Sequence, residues 1–328
     1  MKTFASKCGG AGVVLVALLA GHGIAVAQNY PVKSLRMVVP FAPGGPNDIL
    51  GRLVGQKLTE AWGQPVVVEN RGGAGGTVGL EAASRMPGDG YVLAMGGSSN
   101  LALAPSLYAK LAYDPLKDFT PIINVAVVPY ALAVNPTVPA KNVKEFISVA
   151  GRKAGYLSYG SSGVGSMSSL AAEMLKSISK TDIVHVPYKG TAPALTDVVS
   201  GHIDMMLADL AVIKPHADNG RLRVLAVTGL KRSVAAPNVP TIAESGLPGY
   251  ELSPWFGVVA PAGVPRDIVS RLNGAIGASL KAQDVVQRLA SLGYEPLGGS
   301  AEQFAATIKA DTAKFANIVR TAGIKAQP

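Results

Sequence analysis

Cysteine is almost absent from this chain of 328 residues. The only one is Cys8, near the N-terminus, so the rest of the chain has no disulfide, no thiol nucleophile and no cysteine metal ligand. Charged residues make up 16% of the sequence and aromatic residues 6%, whereas hydrophobic residues make up 48%. This balance is typical of a globular protein with a large core and excludes an intrinsically disordered chain.

Long hydrophobic runs are missing as well. No stretch of the chain reaches the roughly 18 consecutive apolar residues that a membrane-spanning helix needs. Near the N-terminus, Lys2 and Lys7 precede a short apolar run over residues 12–19, and the small-residue pattern Ala25-Val26-Ala27 follows it. This order predicts a secretory signal peptide over residues 1–27, cleaved after Ala27, and therefore a periplasmic protein. The alternative is a retained membrane anchor, for which the apolar run is too short.

Basic residues outnumber acidic ones, but they do not cluster. The formal net charge is +9, and it falls to +7 when Lys2 and Lys7 leave with the signal peptide. Basic residues adjoin only at Arg152-Lys153 and Lys231-Arg232. Nucleic-acid binding proteins carry basic tracts interleaved with aromatic residues, so we expect no nucleic-acid partner. An overall positive field favours encounter with small anions.

Short apolar runs alternate with amphipathic helical patterns in two blocks. This order predicts an α/β fold in which parallel sheets are covered by helices. The predicted strands cover residues 35–39, 66–68 and 91–95 in the first block, 156–159, 183–186, 203–207 and 223–228 in the second, and 255–259 near the end. The predicted helices cover residues 48–62, 77–85, 166–178, 192–200, 266–281, 284–292 and 301–322.

The spacing of the two blocks predicts two lobes. An apolar run over 122–134, interrupted by Pro129, lies between the blocks, and a segment rich in proline and glycine follows the second block. We expect the chain to cross between the lobes twice, with the C-terminal helices returning to the first lobe. The expected boundaries give residues 28–127 and 250–328 to lobe 1 and residues 128–249 to lobe 2.

Glycine-rich turns follow several predicted strands and precede predicted helices. They lie at residues 39–48, 70–76, 96–100, 159–166 and 187–191. A helix N-terminus has unpaired N–H groups and the positive end of the helix dipole, and glycine lets a ligand approach that backbone closely. Because such loops lie beyond the carboxyl ends of the strands, together they predict an anion-binding cleft. The alternative for each single loop is a tight turn without a ligand.

Motifs for cofactor binding and catalysis are incomplete. The segment that starts at Gly73 lacks the last glycine of the dinucleotide-binding pattern G-x-G-x-x-G, and no P-loop sequence occurs. The segment that starts at Gly160 ends in Val164, where the nucleophile motif G-x-S-x-G needs glycine. The histidines outside the signal peptide are isolated, so we expect no metal site and no cofactor. They are His185, His202 and His216.

At its glycine loops the chain resembles the Bug family of solute-binding receptors, the extracytoplasmic component of tripartite tricarboxylate transporters. The resemblance covers essentially the whole chain after the signal peptide, in order. The matching segments are Pro40-Phe41-Ala42-Pro43-Gly44-Gly45 with Asp48, residues 69–76, Val186-Pro187-Tyr188-Lys189-Gly190, residues 225–228, residues 239–250, and Trp255-Phe256-Gly257 before residues 260–263.

This resemblance implies a two-lobed periplasmic-binding-protein fold, type II-like, with a two-strand hinge and a cleft that closes on a ligand as a Venus flytrap does. It also implies that a ligand carboxylate is held near residues 41–48, largely by backbone groups and ordered waters. The family often has a small hydroxyl residue between the glycines and the aspartate, where this chain has Pro46-Asn47. Proline suits the first turn of a helix but removes one N–H donor.

The candidate ligand-binding residues come from loops of both lobes. Lobe 1 contributes Phe41, Pro43, Gly44, Gly45, Asp48, Ser98 and Ser99. Lobe 2 contributes Ser161, Ser162, Gly163, Ser166, Lys189, Gly190 and Asp209. Asp209 and Asp204 flank an apolar strand, where they form either a carboxylate pair or solvated strand ends.

The sequence therefore predicts a non-enzymatic receptor that captures a small carboxylate. We expect it to be a monomer, to have no catalytic residues, and to deliver its ligand to the membrane components of a tripartite tricarboxylate transporter. One alternative is an exported α/β hydrolase of a carboxylate ester with Ser162 or Ser166 as nucleophile, although no base pairs with either serine in the sequence. Another is a periplasmic sensor that presents its closed form to a signalling partner.

Overall fold

The structure is a computed structural model that describes Met1, residues 30–321 and residues 323–324. The chain forms two compact units, Met1–Tyr30 and Pro31–Pro328, and the fold described below is that of the second. The predicted signal peptide, apart from Met1, and its cleavage site after Ala27 lie outside the described residues.

A mixed sheet of six strands organises the first lobe. The strands are β1 (Leu35–Val39), β2 (Val66–Asn70), β3 (Val92–Gly97), β4 (Phe119–Val127), β10 (Trp255–Pro261) and β11 (Glu295–Gly298). Their order across the sheet is β11-β4-β10-β3-β1-β2. β1 pairs in parallel with β2 and β3, whereas β10 runs antiparallel to β3 and β4, and β11 runs antiparallel to β4.

A second mixed sheet of five strands organises the other lobe. The strands are β5 (Tyr130–Val134), β6 (Leu157–Ser161), β7 (Ile183–Pro187), β8 (Met205–Asp209) and β9 (Arg223–Val227), in the order β7-β6-β8-β5-β9. β6 is parallel to β7 and β8, whereas β5 is antiparallel to β8 and β9. The expectation of parallel sheets is thus correct only for β2-β1-β3 and β7-β6-β8. It is wrong for the other strands, because chain segments that cross between the sheets enter each one antiparallel to its parallel core.

Helices cover these sheets. They are α1 (Pro46–Trp62), α2 (Thr77–Ser84), α3 (Ala104–Leu107), α4 (Val143–Ala150), α5 (Met167–Ser179), α6 (Thr191–Ser200), α7 (Leu210–Asp218), α8 (Arg266–Leu280), α9 (Gln283–Ser291) and α10 (Ala301–Thr321). A 3₁₀ turn over Ala74–Gly76 precedes α2, and a π-helical turn over Ser99–Leu103 precedes α3. The C-terminal helices α8 and α10 pack on β4, as expected for helices that return to the first lobe. None of the described helices has the length and apolar character needed to cross a bilayer.

The chain crosses between the sheets in two segments that touch. β4 ends at Val127 and β5 begins at Tyr130, and the second crossing follows β9 and leads into β10. The two segments are joined where Val128 N–H donates to the Pro254 carbonyl at 2.7 Å. The predicted lobe boundaries at 127/128 and 249/250 fall within these crossings and stay a prediction.

Candidate functional site

The first glycine loop connects the end of β1 to the start of α1. Gly45 caps α1 in an extended conformation and Pro46 occupies the first helical turn, where its missing N–H has no helical partner to lose. Gly44 has a φ of +86°, a left-handed conformation that favours glycine. A Cβ atom on Gly45 would have the Ala42 carbonyl oxygen at 3.9 Å as its nearest neighbour, so Gly45 faces open space. Pro43 is exposed and Phe41 is half-buried.

Asp48 organises this loop from inside the protein. Its side chain is almost fully buried and accepts hydrogen bonds from Gly44 N–H at 3.0 Å, from Arg52 Nε at 3.0 Å and from Asn70 Nδ2 at 2.9 Å. Burial alone raises the pKa of the Asp48 carboxyl, but the hydrogen bonds from Arg52, Gly44 and Asn70 outweigh burial and hold the pKa below its usual value. Asp48 is therefore an ionised residue that shapes the loop, with its oxygens already engaged by protein donors.

The first three glycine loops are in contact with one another. Asn70 Nδ2 also donates to the Phe41 carbonyl at 3.0 Å, which ties the second loop to the first. Gly76 has a φ of +93°, and a Cβ atom there would lie 2.9 Å from the Phe41 ring and 2.6 Å from Asn100 Nδ2. Only glycine at position 76 allows this approach. Phe41 and Asn100 thus both pack against Gly76.

Asn100 is a candidate that sequence reasoning missed. Its Oδ1 accepts from Gly97 N–H at 2.9 Å, which fixes the orientation of the amide group. Its Nδ2 is buried and has no hydrogen-bond partner among the described residues. An unpaired buried donor is costly, so an acceptor from outside the described residues, such as a bound ligand or water, would stabilise this group. The signal in the sequence is the polar end of the loop at residues 96–100, where the prediction includes Ser98 and Ser99 but not Asn100.

Those two serines begin the π-helical turn beside Asn100. Ser98 is buried at 2% exposure and Ser99 is half-buried. Within residues 30–321 and 323–324, neither hydroxyl group takes part in a hydrogen bond. Both candidates therefore lie at the same loop as the orphan amide of Asn100.

In the second lobe, the predicted serines bond to one another around the N-terminus of α5. Ser166 is the N-cap: its Oγ accepts from Ser169 N–H at 3.2 Å and donates to the Gly163 carbonyl at 2.7 Å. Ser168 Oγ lies 3.0 Å from Ser162 Oγ and 2.9 Å from Ser166 Oγ. These hydroxyl groups shape the loop and are not paired with any base. The chemistry of an activated serine is therefore missing at Ser162 and Ser166.

Ser161 does have a basic partner, which the sequence motifs did not indicate. Its Oγ lies 2.7 Å from His185 Nε2, and the His185 ring stacks on Tyr159 with centroids 4.5 Å apart. Burial holds the pKa of His185 below its usual value, so the ring is neutral at neutral pH. Ser161 lies at the end of β6, and its Oγ is already engaged by His185, by the Gly163 carbonyl and by Gly163 N–H. The pair holds the start of the serine loop in place.

Lys189 and Gly190 lie at the start of α6, beyond the end of β7. Gly190 caps α6 with a φ of +124°. Lys189 is exposed and has no ion-pair partner in the described part of the chain. The lysine ammonium and the helix N-terminus together make this end of the lobe electropositive.

Asp209 lies at the end of β8, where β5 and β8 pair Asp209 with Tyr130. It is 3% exposed, its Oδ1 has no partner among the described residues, and burial raises its pKa to about 8. Among the described residues, the buried Tyr294 hydroxyl of the first lobe also has no hydrogen-bond partner. The interpretation of Asp209 as a solvated strand end is therefore wrong. Asp204 is separate from it and accepts from Ser158 N–H and Oγ at 2.7 and 2.8 Å.

The serine loop of the second lobe contacts the first lobe. A Cβ atom on Gly165 would lie 3.2 Å from Leu107 Cδ1 and 3.6 Å from the Tyr108 hydroxyl. The Tyr108 hydroxyl donates to the Ala74 carbonyl of the second glycine loop at 3.1 Å. The loops that hold most of the candidate residues therefore lie at facing ends of the two sheets. Across the part of the chain that is described, no group of three or more histidine, cysteine or acidic side chains could hold a metal ion.

Comparison with known proteins finds one matching family and several similar proteins. The model of the TctC family, described as a tripartite tricarboxylate transporter family receptor, matches residues 50–324. Protein BugT of Bordetella pertussis is 34% identical over 316 residues, covering 95% of this chain and 97% of BugT.

Three solved structures are similar over nearly the whole chain. Rpa4515 of R. palustris, solved with adipate, is 38% identical with a TM-score of 0.87, covering 91% of this chain and 100% of its own. The periplasmic binding protein BugD is 35% identical with a TM-score of 0.84 over 91% and 100%. MatC (Rpa3494) of Rhodopseudomonas palustris, with bound malate, is 33% identical with a TM-score of 0.82 over 88% and 100%. They confirm the predicted two-lobed periplasmic-binding-protein fold.

Proposed function

The chain belongs to the TctC family of tripartite tricarboxylate transporter receptors, and we propose that it captures one small carboxylate between its lobes. It is a periplasmic solute-binding receptor and not an enzyme, as its family and structural neighbours are. The resemblance to the Bug family is thereby confirmed, and the alternative of an exported hydrolase is wrong. The finer statements below concern the ligand, the residues that hold it and the partners.

The observation that carries carboxylate capture is the unpaired Nδ2 of Asn100. This buried donor lies beside Phe41 and Gly76, in contact with loops that follow three parallel strands. The Gly45 end of α1 adds the positive end of a helix dipole. A ligand carboxylate that accepts from Asn100 Nδ2 would satisfy the orphan donor and complement this field. Adipate and malate, which the structures of Rpa4515 and MatC contain, are carboxylates of the size we propose.

The second lobe would complete the site as it closes. Lys189 offers an ammonium group without an ion-pair partner in the described chain, and the serine loop offers the half-buried hydroxyl of Ser162. Contacts made only in the closed form shift the population toward closure, because a ligand favours the state that it binds more tightly. The remaining candidates contribute in three ways. Backbone geometry is the role of Pro43, Gly44, Gly45, Gly163 and Gly190. Loop structure is the role of Asp48, Ser161 and Ser166, and proximity to Asn100 is the role of Phe41, Ser98 and Ser99. Asp209 faces the boundary between the lobes as a protonated carboxyl group.

Calorimetric titration with adipate and malate tests carboxylate capture. We expect each acid to bind at least tenfold more tightly than its dimethyl ester, because an ester has no charge to place at the helix N-terminus. Equal affinities for acid and ester would overturn the proposal.

The variant Asn100→Asp tests the role of the orphan donor. It keeps an oxygen for Gly97 N–H but replaces the donor by a negative charge, so carboxylate binding should fall at least tenfold. Asn317→Asp, at an exposed position of α10, is the matched control and should bind as the unchanged protein does. Normal carboxylate affinity in a well-folded Asn100→Asp protein would show that the site lies elsewhere.

We also propose that the mature chain begins at Gln28, acts as a monomer and delivers its ligand to the membrane components of the transporter. The family places the protein in the periplasm and makes it a transporter receptor, which supports both export and a membrane partner.

A further inference from the structure

A cavity of about 230 Å³ lies beside the serine loop. Its walls come from both lobes: Leu107 and Ile324 belong to the part of the chain that covers the first sheet, whereas Val164, Leu170, Glu173 and His185 belong to the second lobe. None of the residues of the first three glycine loops lines it. Gly165 and Ser166 of the serine loop do line it, so the cavity adjoins the second-lobe candidates but not those of the first lobe.

The walls of this cavity are apolar on one side, and Ser166, Ser169, Glu173 and His185 form its polar part. Leu107, Val164, Leu170 and Ile324 present hydrocarbon side chains. A cavity of about 150 Å³ lined by such residues is large enough to hold benzene. The volume here accommodates a benzene ring with a short substituent, and it is too small for the drug-sized ligands of pockets above roughly 300 Å³.

Glu173 defines the polar end. Its Oε1 accepts from the Tyr159 hydroxyl at 2.6 Å and from Lys176 Nζ at 3.0 Å. Both bonds use the same oxygen, and Oε2 makes no hydrogen bond with any residue that the structure describes. The Lys176 ammonium pairs with Oε1, whereas Oε2 keeps its capacity to accept a hydrogen bond. This end of the cavity therefore suits a neutral donor better than an anion. The second half-buried group of the wall, His185, is occupied through Nε2 by Ser161.

We propose that this cavity is a second binding site, distinct from the carboxylate cleft, for a compact aromatic molecule with one hydroxyl group that donates to Glu173 Oε2. The ring lies among Leu107, Val164, Leu170 and Ile324, where it removes apolar surface from water. Such a ligand contacts both lobes at once.

The test measures binding of 4-fluorobenzyl alcohol by ¹⁹F NMR titration, with 4-fluorotoluene as the same ring without a donor. We expect the alcohol to bind about tenfold more tightly than the toluene, because only the alcohol has a hydroxyl group that can donate to Glu173 Oε2. A hydrogen bond to a carboxylate is also stronger than one between neutral groups. Glu173→Gln should lower this ratio at least threefold: the Gln oxygen would keep the bonds to Tyr159 and Lys176 and leave an amide NH₂ in the place of Oε2. A ratio near one in the unchanged protein, or an unchanged ratio in Glu173→Gln, would overturn the proposal.

Two further variants locate the site. Ile324→Trp, beyond α10, should fill the cavity and weaken binding of the alcohol at least tenfold; because Ile324 packs against the core, circular dichroism must show that the variant is folded. Ser177→Trp places the same side chain on the exposed face of α5 and should bind within twofold of the unchanged protein. Asn100→Asp should also bind the alcohol normally, and this result separates the cavity from the carboxylate cleft. Loss of alcohol binding in Asn100→Asp, or full binding in a folded Ile324→Trp protein, would show that the probe binds elsewhere.

Discussion

The backbone N–H of Gly44 donates to Asp48 Oδ2 at 3.0 Å, across four residues of the first glycine loop. This bond joins a glycine in a left-handed conformation to a carboxylate that also holds Arg52 and Asn70. The loop is therefore fixed by its own residues before any ligand arrives. Preorganisation of this kind lowers the ordering cost that binding must otherwise meet.

Asp48→Asn should destabilise the protein by about 1–3 kcal/mol, the range for hydrogen bonds to charged groups. Because the folded pKa of Asp48 lies below its usual value of 3.8, the stabilisation is present above pH 4 and is lost as pH falls through the folded pKa. Urea unfolding at several pH values measures the difference between the two proteins, which should shrink in acid. Asp218→Asn, at an exposed pair with Lys214, is the control and should change stability by less than about 0.5 kcal/mol.

Gly44 and Gly45 should respond oppositely to substitution. Gly44→Ala forces a side chain into the left-handed region and should cost about 1–2 kcal/mol of stability. Gly45→Val meets no clash in the protein, so the fold should persist, but its side chain occupies the approach to the loop and should abolish carboxylate binding. Circular dichroism and calorimetry on both variants decide this. Normal ligand binding by a folded Gly45→Val protein would contradict the placement of the cleft.

Ser162 and Ser166 of the second lobe should differ in the quantity that their substitution changes. Ser166→Ala removes the N-cap of α5 and should lower stability by about 1 kcal/mol. Ser162→Ala loses a half-buried hydroxyl group bonded only to Ser168, so stability should change little. Its carboxylate affinity should fall by about 0.5–1.5 kcal/mol, the value of one neutral hydrogen bond. Parallel urea unfolding and calorimetry give both quantities, and an unchanged affinity of Ser162→Ala would remove this serine from the site.

Asp209 should make the protein less stable as pH rises. Burial raises its folded pKa to about 8, whereas the unfolded value is near 3.8, so between these values the folded state holds a proton that the unfolded state lacks. Stability must then fall with increasing pH across this window, by at most about 1.4 kcal/mol per pH unit. Asp209→Asn is neutral throughout and should remove this slope, so its advantage over the unchanged protein should grow from pH 5 to pH 8. A difference that does not vary with pH would mean that Asp209 ionises normally.

Export should remove the N-terminus after Ala27. Mass spectrometry of protein from the periplasmic fraction should find Gln28, or its cyclised form, as the first residue. The control is Ala27→Arg, which breaks the small-residue pattern and should leave the precursor uncleaved. A full-length chain in the membrane fraction of cells that express the unchanged protein would contradict the prediction.

Local patterns predicted most elements that flank the site. The strands and helices around residues 35–97 and 157–200 agree with prediction to within about two residues, because their apolar periods and glycine stops are contiguous in sequence. The missed elements are short or irregular. α4 is capped by Asn142, which accepts from Glu145 N–H, and this Asn-x-x-Glu signal was overlooked. α7 contains Pro215, and β11 pairs with a strand far away in sequence.

The candidate site was less predictable than the fold, because its chemistry depends on long-range contacts. Asp48 stood out in the loop pattern, but only the fold shows that Arg52 and Asn70 already engage it. The orphan amide of Asn100 depends on Gly76 and Phe41, and the Ser161–His185 pair depends on the register of β6 and β7. No spacing rule within one segment encodes such relationships.

The short crossing from β4 to β5 has a consequence for measurement. Only Val128 and Pro129 separate the two strands, and proline fixes one of the few torsion angles available there. At this crossing the relative rotation of the sheets depends on few backbone torsion angles, and a distance between dyes on the two lobes can report that rotation. Since the chain has no cysteine after Cys8, two introduced cysteines would be the only cysteine labelling sites in a protein that begins at Gln28. A doubly labelled protein would therefore report the binding of its own ligand as a change in fluorescence.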